Sequence, residues 1–349
     1  MMYMNFCAET LANTSRSPQT QRITHTSRWI MLPLLVFVFA FLLIGKDAHA
    51  DRKGKLHQIE MWAEKIPAGV EGGNDLFAYR MASHIVSKMD LSNEKDITSR
   101  YVDVPTIPGP TIVINEGDEV SLTLRHQFDA NPDSPLFQVS VHVHGVHYDI
   151  HSDGTIEYIN LVADESATPV MSYTYHWVAA KGTAGTWAYH DHNMVTLNGA
   201  EERGLYGALI VNNKSRIPAL SVLGKPKTVP LSSIRKEYVL FMGDDAFWGT
   251  EIDNKSGQQT PLWDNPALTA QKNRNVRFHL IALGTNTHQF TLPDYGWIDP
   301  GTNVIINEKI IGPLEKHVFV VRTIESSNYM DMTFSSKLLG MKGELNVNR

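Results

Sequence analysis

The chain reads as an all-β protein built from two tandem β-sandwiches, and three observations predict this. Short runs of β-branched and aromatic residues recur along it, Gly, Pro, Asn and Asp separate them at close intervals, and both halves carry the same order of events. Regularly spaced short strands with turn signals between them are the pattern of sandwiches. In the first half the expected strands are residues 111–115, 119–124, 138–144, 172–178 and 208–211; in the second they are 276–283, 304–306, 317–321 and 343–347. Each half closes on a similar strand, residues 205–211 and 340–347, which suggests a duplicated unit. Residues 213–234, rich in Ser, Pro and Lys, are the expected linker, so the halves run over 51–212 and 235–349. Residues 82–98 are expected as a short helix or a flexible insertion.

The first fifty residues read as an export segment. The long apolar run 29–45 follows Arg16, Arg22 and Arg28 and precedes Ala48-His49-Ala50, a small-residue cleavage site. An uncleaved anchor is the alternative, since the run approaches the length of a transmembrane helix. In both cases the expected location is periplasmic or extracellular. Losing residues 1–50 removes four basic and two acidic residues, so the formal net charge moves from −6 to −8. An acidic chain has no electrostatic reason to bind nucleic acid or an anionic membrane. The single cysteine, Cys7, lies in the export segment, so the mature chain has neither a disulfide nor a thiolate metal ligand.

Two H-x-H pairs carry the strongest chemical signal. His142 and His144 alternate with Val141 and Val143, and His190 and His192 flank Asp191. In a strand, residues i and i+2 share a face, so each pair projects both imidazoles the same way. Brought together, the pairs offer four neutral nitrogen ligands, a set suited to copper, zinc, iron or nickel. His147 and His151 are read as solvated loop residues and His176 as structural. Tyr148 and Asp153 have two readings, as groups that orient ligands or relay protons beside a metal, or as a packed tyrosine and a turn aspartate.

At these residues the chain resembles the two-domain multicopper oxidases known as small laccases. The matching stretches are 61–65, 108–112, 115–118, 141–154, 185–192 and 204–211. The resemblance implies two cupredoxin-like Greek-key domains, copper as cofactor, and His142, His144, His190 and His192 as the first-domain half of a trinuclear copper cluster. In that family the cluster lies between subunits of a trimer. It also puts Tyr148 and Asp153 near the cluster. The second half departs from the pattern. His288 matches a type 1 copper ligand, but Thr291 and Pro293 stand at two trinuclear-ligand positions. Met330-Asp331-Met332 replaces the family's H-C-H, Ser336 replaces a histidine, and Met341 matches the axial methionine. By this alignment the thiolate that binds the blue copper and bridges it to the cluster is missing.

The expected function is therefore copper binding through the first domain, without laccase turnover by this chain alone. A copper oxidoreductase with a reduced site is one alternative. Another is a subunit, in a homotrimer or a hetero-oligomer, whose cluster is completed by a cysteine-containing relative. A small-molecule or protein redox partner fits either. For His288, Met330, Met332 and Met341 two readings stand, a soft Cu(I) site or a former copper pocket refilled by methionine as core filler.

Overall fold

Strands whose inward residues are apolar and outward residues polar pair into sheets, and two such sheets close over one core. The computed structural model describes residues 54–66, 76–127, 138–159, 170–193, 203–213, 216–221 and 223–349; the expected export segment lies outside the described residues. The first sandwich contains β1 (Lys55–Ile66), β2 (Leu76–Lys88), β3 (Lys95–Asp96), β4 (Ile112–Asn115), β5 (Glu119–His126), β6 (His142–Val143), β7 (Ser172–Val178), β8 (Gly185–His190) and β9 (Tyr206–Asn212). One sheet has the order β3-β2-β1-β5-β7 and the facing sheet β4-β9-β8-β6. Inward residues such as Met61, Leu122, Val141, Val143, Trp177 and Tyr189 bury completely between them. Each such side chain contributes about 1.5–3 kcal/mol by leaving water.

Residues 82–98 are not a helix. The β2 strand runs through Lys88 and β3 pairs back onto it. The inward residues of this hairpin include His57 and His84, which break the apolar alternation that would have marked it. They are buried because they satisfy each other, His57 Nδ1 lying 2.9 Å from His84 Nε2 and His84 Nδ1 2.8 Å from the Tyr101 hydroxyl. Within the expected linker, β10 (Ile217–Leu220) and β11 (Pro226–Val229) form a hairpin. Its Ala219 and Val229 share a small core with Ile234 and Val320.

The second sandwich contains β12 (Ile234–Met242), β13 (Phe247–Asp253), β14 (Gln259–Leu262), β15 (Leu268–Gln271), β16 (Asn275–Ala282), β17 (His288–Thr291), β18 (Trp297–Ile298), β19 (Ile305–Ile306), β20 (Glu308–Ile311), β21 (Lys316–Arg322), β22 (Ser327–Asp331) and β23 (Lys342–Asn348). Its sheets have the orders β14-β13-β12-β16-β21 and β15-β23-β22-β17-β20. The pairing repeats that of the first sandwich. The β1–β5 and β4–β9 pairs are parallel, as are β12–β16 and β15–β23. The duplication therefore matches β6 and β8 with β17 and β22. It gives Tyr189 and Tyr329 the same role: each hydroxyl donates to a proline carbonyl, Pro110 at 2.6 Å and Pro266 at 2.5 Å.

The sandwiches meet through apolar residues of β8 and β9 packed on Val239, Phe241 and Ile281. A buried polar chain crosses the same interface. His279 Nδ1 lies 2.5 Å from Thr186 Oγ1, its Nε2 2.6 Å from Glu237 Oε2, and Arg277 donates to Asn212 Oδ1 at 2.8 Å. Burial, then the Arg277 charge, lowers the His279 pKa to about 4, so the ring is neutral and donates from Nε2. The unfolded chain protonates this histidine below its ordinary value of 6.5, whereas the folded chain resists until about 4. Stability is thus expected to fall as pH drops from 6.5 to 4, by about 3 kcal/mol from this group. Urea midpoints measured across that window check it, and His279→Gln is expected to flatten the slope.

Candidate metal centre

The histidine pairs converge because β6 and β8 are antiparallel neighbours in which His142 and His190 are direct partners. Val143 and Tyr189, the next pair along, point into the core, so the histidines point out of it on the opposite face. His144 and His192 follow two residues later, just past the end of each strand. Ring centroids lie 4.9 Å apart for His142–His144 and His142–His192, 5.3 Å for His144–His190 and 5.4 Å for His142–His190. All four rings are brought together. Candidate ligand atoms of His142, His144 and His190 all lie within 4.8 Å of one another, and His192 sits at the edge of this group, its ring stacked on His190 at 5.8 Å.

Hydrogen bonding sets which nitrogens face inward. His142 Nδ1 lies 2.6 Å from the Asp153 carbonyl, and His190 Nδ1 2.8 Å from the Asp191 carbonyl. A carbonyl can only accept, so both Nδ1 atoms carry the proton and both Nε2 lone pairs are free for a ligand. His144 Nε2 approaches His190 Nε2 at 3.1 Å. Two nitrogens bound to one ion at about 2.0 Å in a tetrahedral arrangement are separated by about 3 Å, so this spacing fits a shared metal. Burial, and then the neighbouring His190, His142 and Lys316, pulls the His144 pKa down to about 4; burial does the same to His190. His192 is lowered for the same first reason. These rings are neutral at pH 7, the protonation state a metal requires.

Tyr148 and Asp153 sit at the rim. The Tyr148 ring lies 6.1 Å from His142, and its hydroxyl is hydrogen-bonded to Asp153. Burial first, and that carboxylate second, push the Tyr148 pKa up to about 12. Burial acts to raise Asp153, but hydrogen bonds from Thr155 and Tyr148 outweigh it and hold the carboxyl below its usual range. Asp153 also reaches His142 Nδ1 from Oδ1 at 3.3 Å. Gly154 is required here, since at φ +81° its absent Cβ would lie 2.2 Å from the Val141 carbonyl oxygen. His147, His151 and His176 are exposed and outside the cluster, with His151 paired to Glu157 at 2.9 Å.

The structure adds Lys316, which lies outside every motif, and gives Trp187 of the 185–192 stretch a role that its motif did not state. Trp187 lies against Gly145, and the Lys316 ammonium stands 3.5 Å over the Trp187 ring, bringing a cation from β21 to the His144 side of the site. No sequence spacing links positions 145, 187 and 316. Gly145 has φ +74°, and a Cβ there would fall 2.0 Å from a Trp187 ring carbon. Gly145→Ala is therefore expected to displace the turn that carries His144, costing about 1–3 kcal/mol through overpacking and left-handed strain. Thermal melts and copper titration check this, with weaker binding expected alongside the lower midpoint.

The equivalent strand pair of the second sandwich holds no histidine cluster. His288 is fully buried, with Nδ1 2.7 Å from Asp331 Oδ2. Asp331 Oδ1 accepts from the Gln289 amide at 2.9 Å and from the Thr333 amide and hydroxyl at 3.0 Å each. Burial acts to raise the Asp331 carboxyl, but these bonds hold it far below the usual range. Asp191 does the same work in the first sandwich, accepting from the Ser140 amide at 2.8 Å. Tyr189-His190-Asp191-His192 and Tyr329-Met330-Asp331-Met332 are thus the same structural segment, with methionines at the histidine positions. The Asp331 amide bonds to the Met341 carbonyl as the Asp191 amide does to that of Leu205, so Met341 fills the core position of Leu205. Along β22 Tyr329 and Asp331 are buried while Met330 and the following Met332 alternate onto the half-exposed face. Met330 and Met332 therefore do not join His288 and Met341 in one four-donor site.

Residues 98–216 match the family model described as multicopper oxidase. A probable nitrite reductase–hydroxylamine oxidoreductase fusion protein of Kuenenia stuttgartiensis is 31% identical over 230 residues, covering 62% of this chain and 24% of the relative. The chain thus spans about a quarter of that protein's length. Among solved structures, a copper nitrite reductase from Nitrosomonas europaea matches with TM-score 0.53 and 16% identity, over 84% of this chain and 94% of that one. The blue copper oxidase of the same organism matches with TM-score 0.51 and 16% identity, over 83% and 85%. At such identity the structural likeness establishes the fold, two cupredoxin-like sandwiches in tandem.

Proposed function

We propose, from the premise that residues 98–216 are a multicopper oxidase domain, that this chain is an exported copper-binding protein whose copper is held by its first sandwich. One observation carries the reading: His142, His144 and His190 direct three imidazoles to one small volume, with His192 beside them. The donor set fits copper, because imidazole nitrogens suit it and the protons on Nδ1 leave Nε2 available. Bound copper supplies one-electron redox chemistry. The protein holds the rings, excludes water on the core side through Val143 and Tyr189, and keeps a hydrogen-bonded Tyr148–Asp153 pair at the open side.

Laccase turnover by the chain alone is not part of this reading. Asp331 occupies the position that resembles the blue-copper cysteine, and its carboxylate engages His288 Nδ1 in place of a thiolate-bound metal. The expected result is stoichiometric copper without a blue thiolate band and without oxidation of phenols. Export is supported by the apolar run 29–45 and the Ala48-His49-Ala50 sequence.

A copper oxidoreductase with this reduced site is the second reading, favoured by the Tyr148–Asp153 hydrogen bond at the rim, a ready path for a proton. Ascorbate and nitrite turnover by the copper-loaded protein, lost in Asp153→Ala with copper retained, distinguishes it. Assembly in a homotrimer or with a cysteine-containing relative is the third. Its signature is a blue band that arises only in the mixture.

A further inference from the structure

We propose that the end of the first sandwich where β1 begins and β2 ends binds a small multivalent anion. A cavity of about 470 Å³ opens there, and Lys55, Lys88, Lys95 and Arg100 all line it. Among the described residues, no carboxylate lines it. This is a concentration of positive charge in a chain whose formal net charge is −6.

The strand register makes the arrangement unfavourable unless an anion shares it. Lys55 and Lys88 are direct cross-strand partners, and Lys95 is the partner of Val86, two residues from Lys88. Cross-strand partners share a face, so Lys55, His57, Val86, Lys88 and Lys95 project to the same side. On that face His57 and Ile59 are buried, whereas Lys55, Lys88 and Lys95 at the strand ends are exposed. Like charges directly opposite one another destabilise a sheet. Three acids lie nearby but outside the lining: Asp90, which bonds Ser92 and also feels the Lys88 charge, Asp96, which bonds Thr98, and Asp118, which bonds His57 and the amides of Lys55 and Asn115. Glu94, next to Lys95 in sequence, is exposed and does not line the cavity.

The cavity chemistry selects the ligand class. Its size exceeds what a single monovalent ion needs and falls in the range of small-molecule pockets. Val86 and Val113 supply an apolar wall, and the four cations supply separate anchoring points. The fitting ligand is a compact anion with two or more acidic groups, either carboxylates or phosphates. The site lies at the strand ends where β1 starts, whereas the histidines lie on β6 and β8, so it is distinct from the metal centre.

Calorimetric titration of the metal-free full chain with citrate, pyrophosphate and acetate tests the proposal. Saturable one-to-one binding of citrate, pyrophosphate or both is expected, and which of them binds identifies carboxylate or phosphate as the source. Removing one charge-assisted hydrogen bond lowers affinity about tenfold, so Lys88→Gln with Lys95→Gln is expected to weaken binding by that factor or more. Both lysines are exposed, so the variant keeps its fold. No binding of either multivalent anion, equal binding of acetate, or unchanged affinity in the double variant would overturn the proposal.

Discussion

Replacing His142 and His190 with alanine is expected to reduce copper binding from near-stoichiometric to background while leaving the fold intact. These two are direct partners across β6 and β8, and each has its Nδ1 proton fixed by a backbone carbonyl. Losing both leaves His144 and His192 without the two nitrogens that hold them in a common set. The core face of the same strands is untouched, because Val143 and Tyr189 pack away from the site. Copper content after desalting measures the effect, and circular dichroism verifies the fold. Unchanged copper content in the double variant means that the ion binds elsewhere.

The second large effect is expected at Asp331. Its carboxylate accepts from three donors besides His288, and both side chains are buried. Asp331→Ala therefore leaves a buried histidine and two backbone amides without their acceptor, at a cost of about 3–5 kcal/mol. A lower thermal midpoint, recovered in part by Asp331→Asn, is the expected pattern. Asp331→Cys combined with Ser336→His tests the family alignment from the other side. It places a thiolate and a second imidazole beside His288 and Met341, and added copper is expected to give an intense blue band. If the double variant stays colourless with copper bound, those four positions do not form a blue-copper site.

The structure explains which parts of the protein were legible in the sequence. The H-x-H pairs were, because a period of two needs only local alternation to put both rings on one face. The strands around residues 172–178 and 276–282 were readable for the same reason. The hairpin of β1 and β2 was not. Its inward positions include His57 and His84, and only their bond to each other, with Asp118 and Tyr101, offsets the penalty of burying them. The expected strand at 138–144 is shorter in the structure, with only His142–Val143 in the ladder and an isolated bridge from Val139 to Ile159. Lys316 over Trp187 joins two sandwiches and has no local signature.

Tyr-x-Asp-x occurs at 189–192 and again at 329–332, with His and Met exchanged at the variable positions. The aspartate accepts from a backbone amide of the neighbouring segment in both copies, that of Ser140 in one and of Gln289 in the other. Asp331 is thus a structural residue of the duplicated unit, in a position where a blue-copper centre would need a thiolate. The same segment carries the histidine pair proposed as ligands in the first sandwich and methionines in the second.

Electron paramagnetic resonance with copper stoichiometry on the purified protein tests copper binding by the histidine pairs most directly. The predicted result is bound copper with nitrogen ligation and no blue thiolate absorption, all of it lost when His142 and His190 are replaced. A blue centre in this chain alone, or copper that survives removal of both histidines, would contradict it.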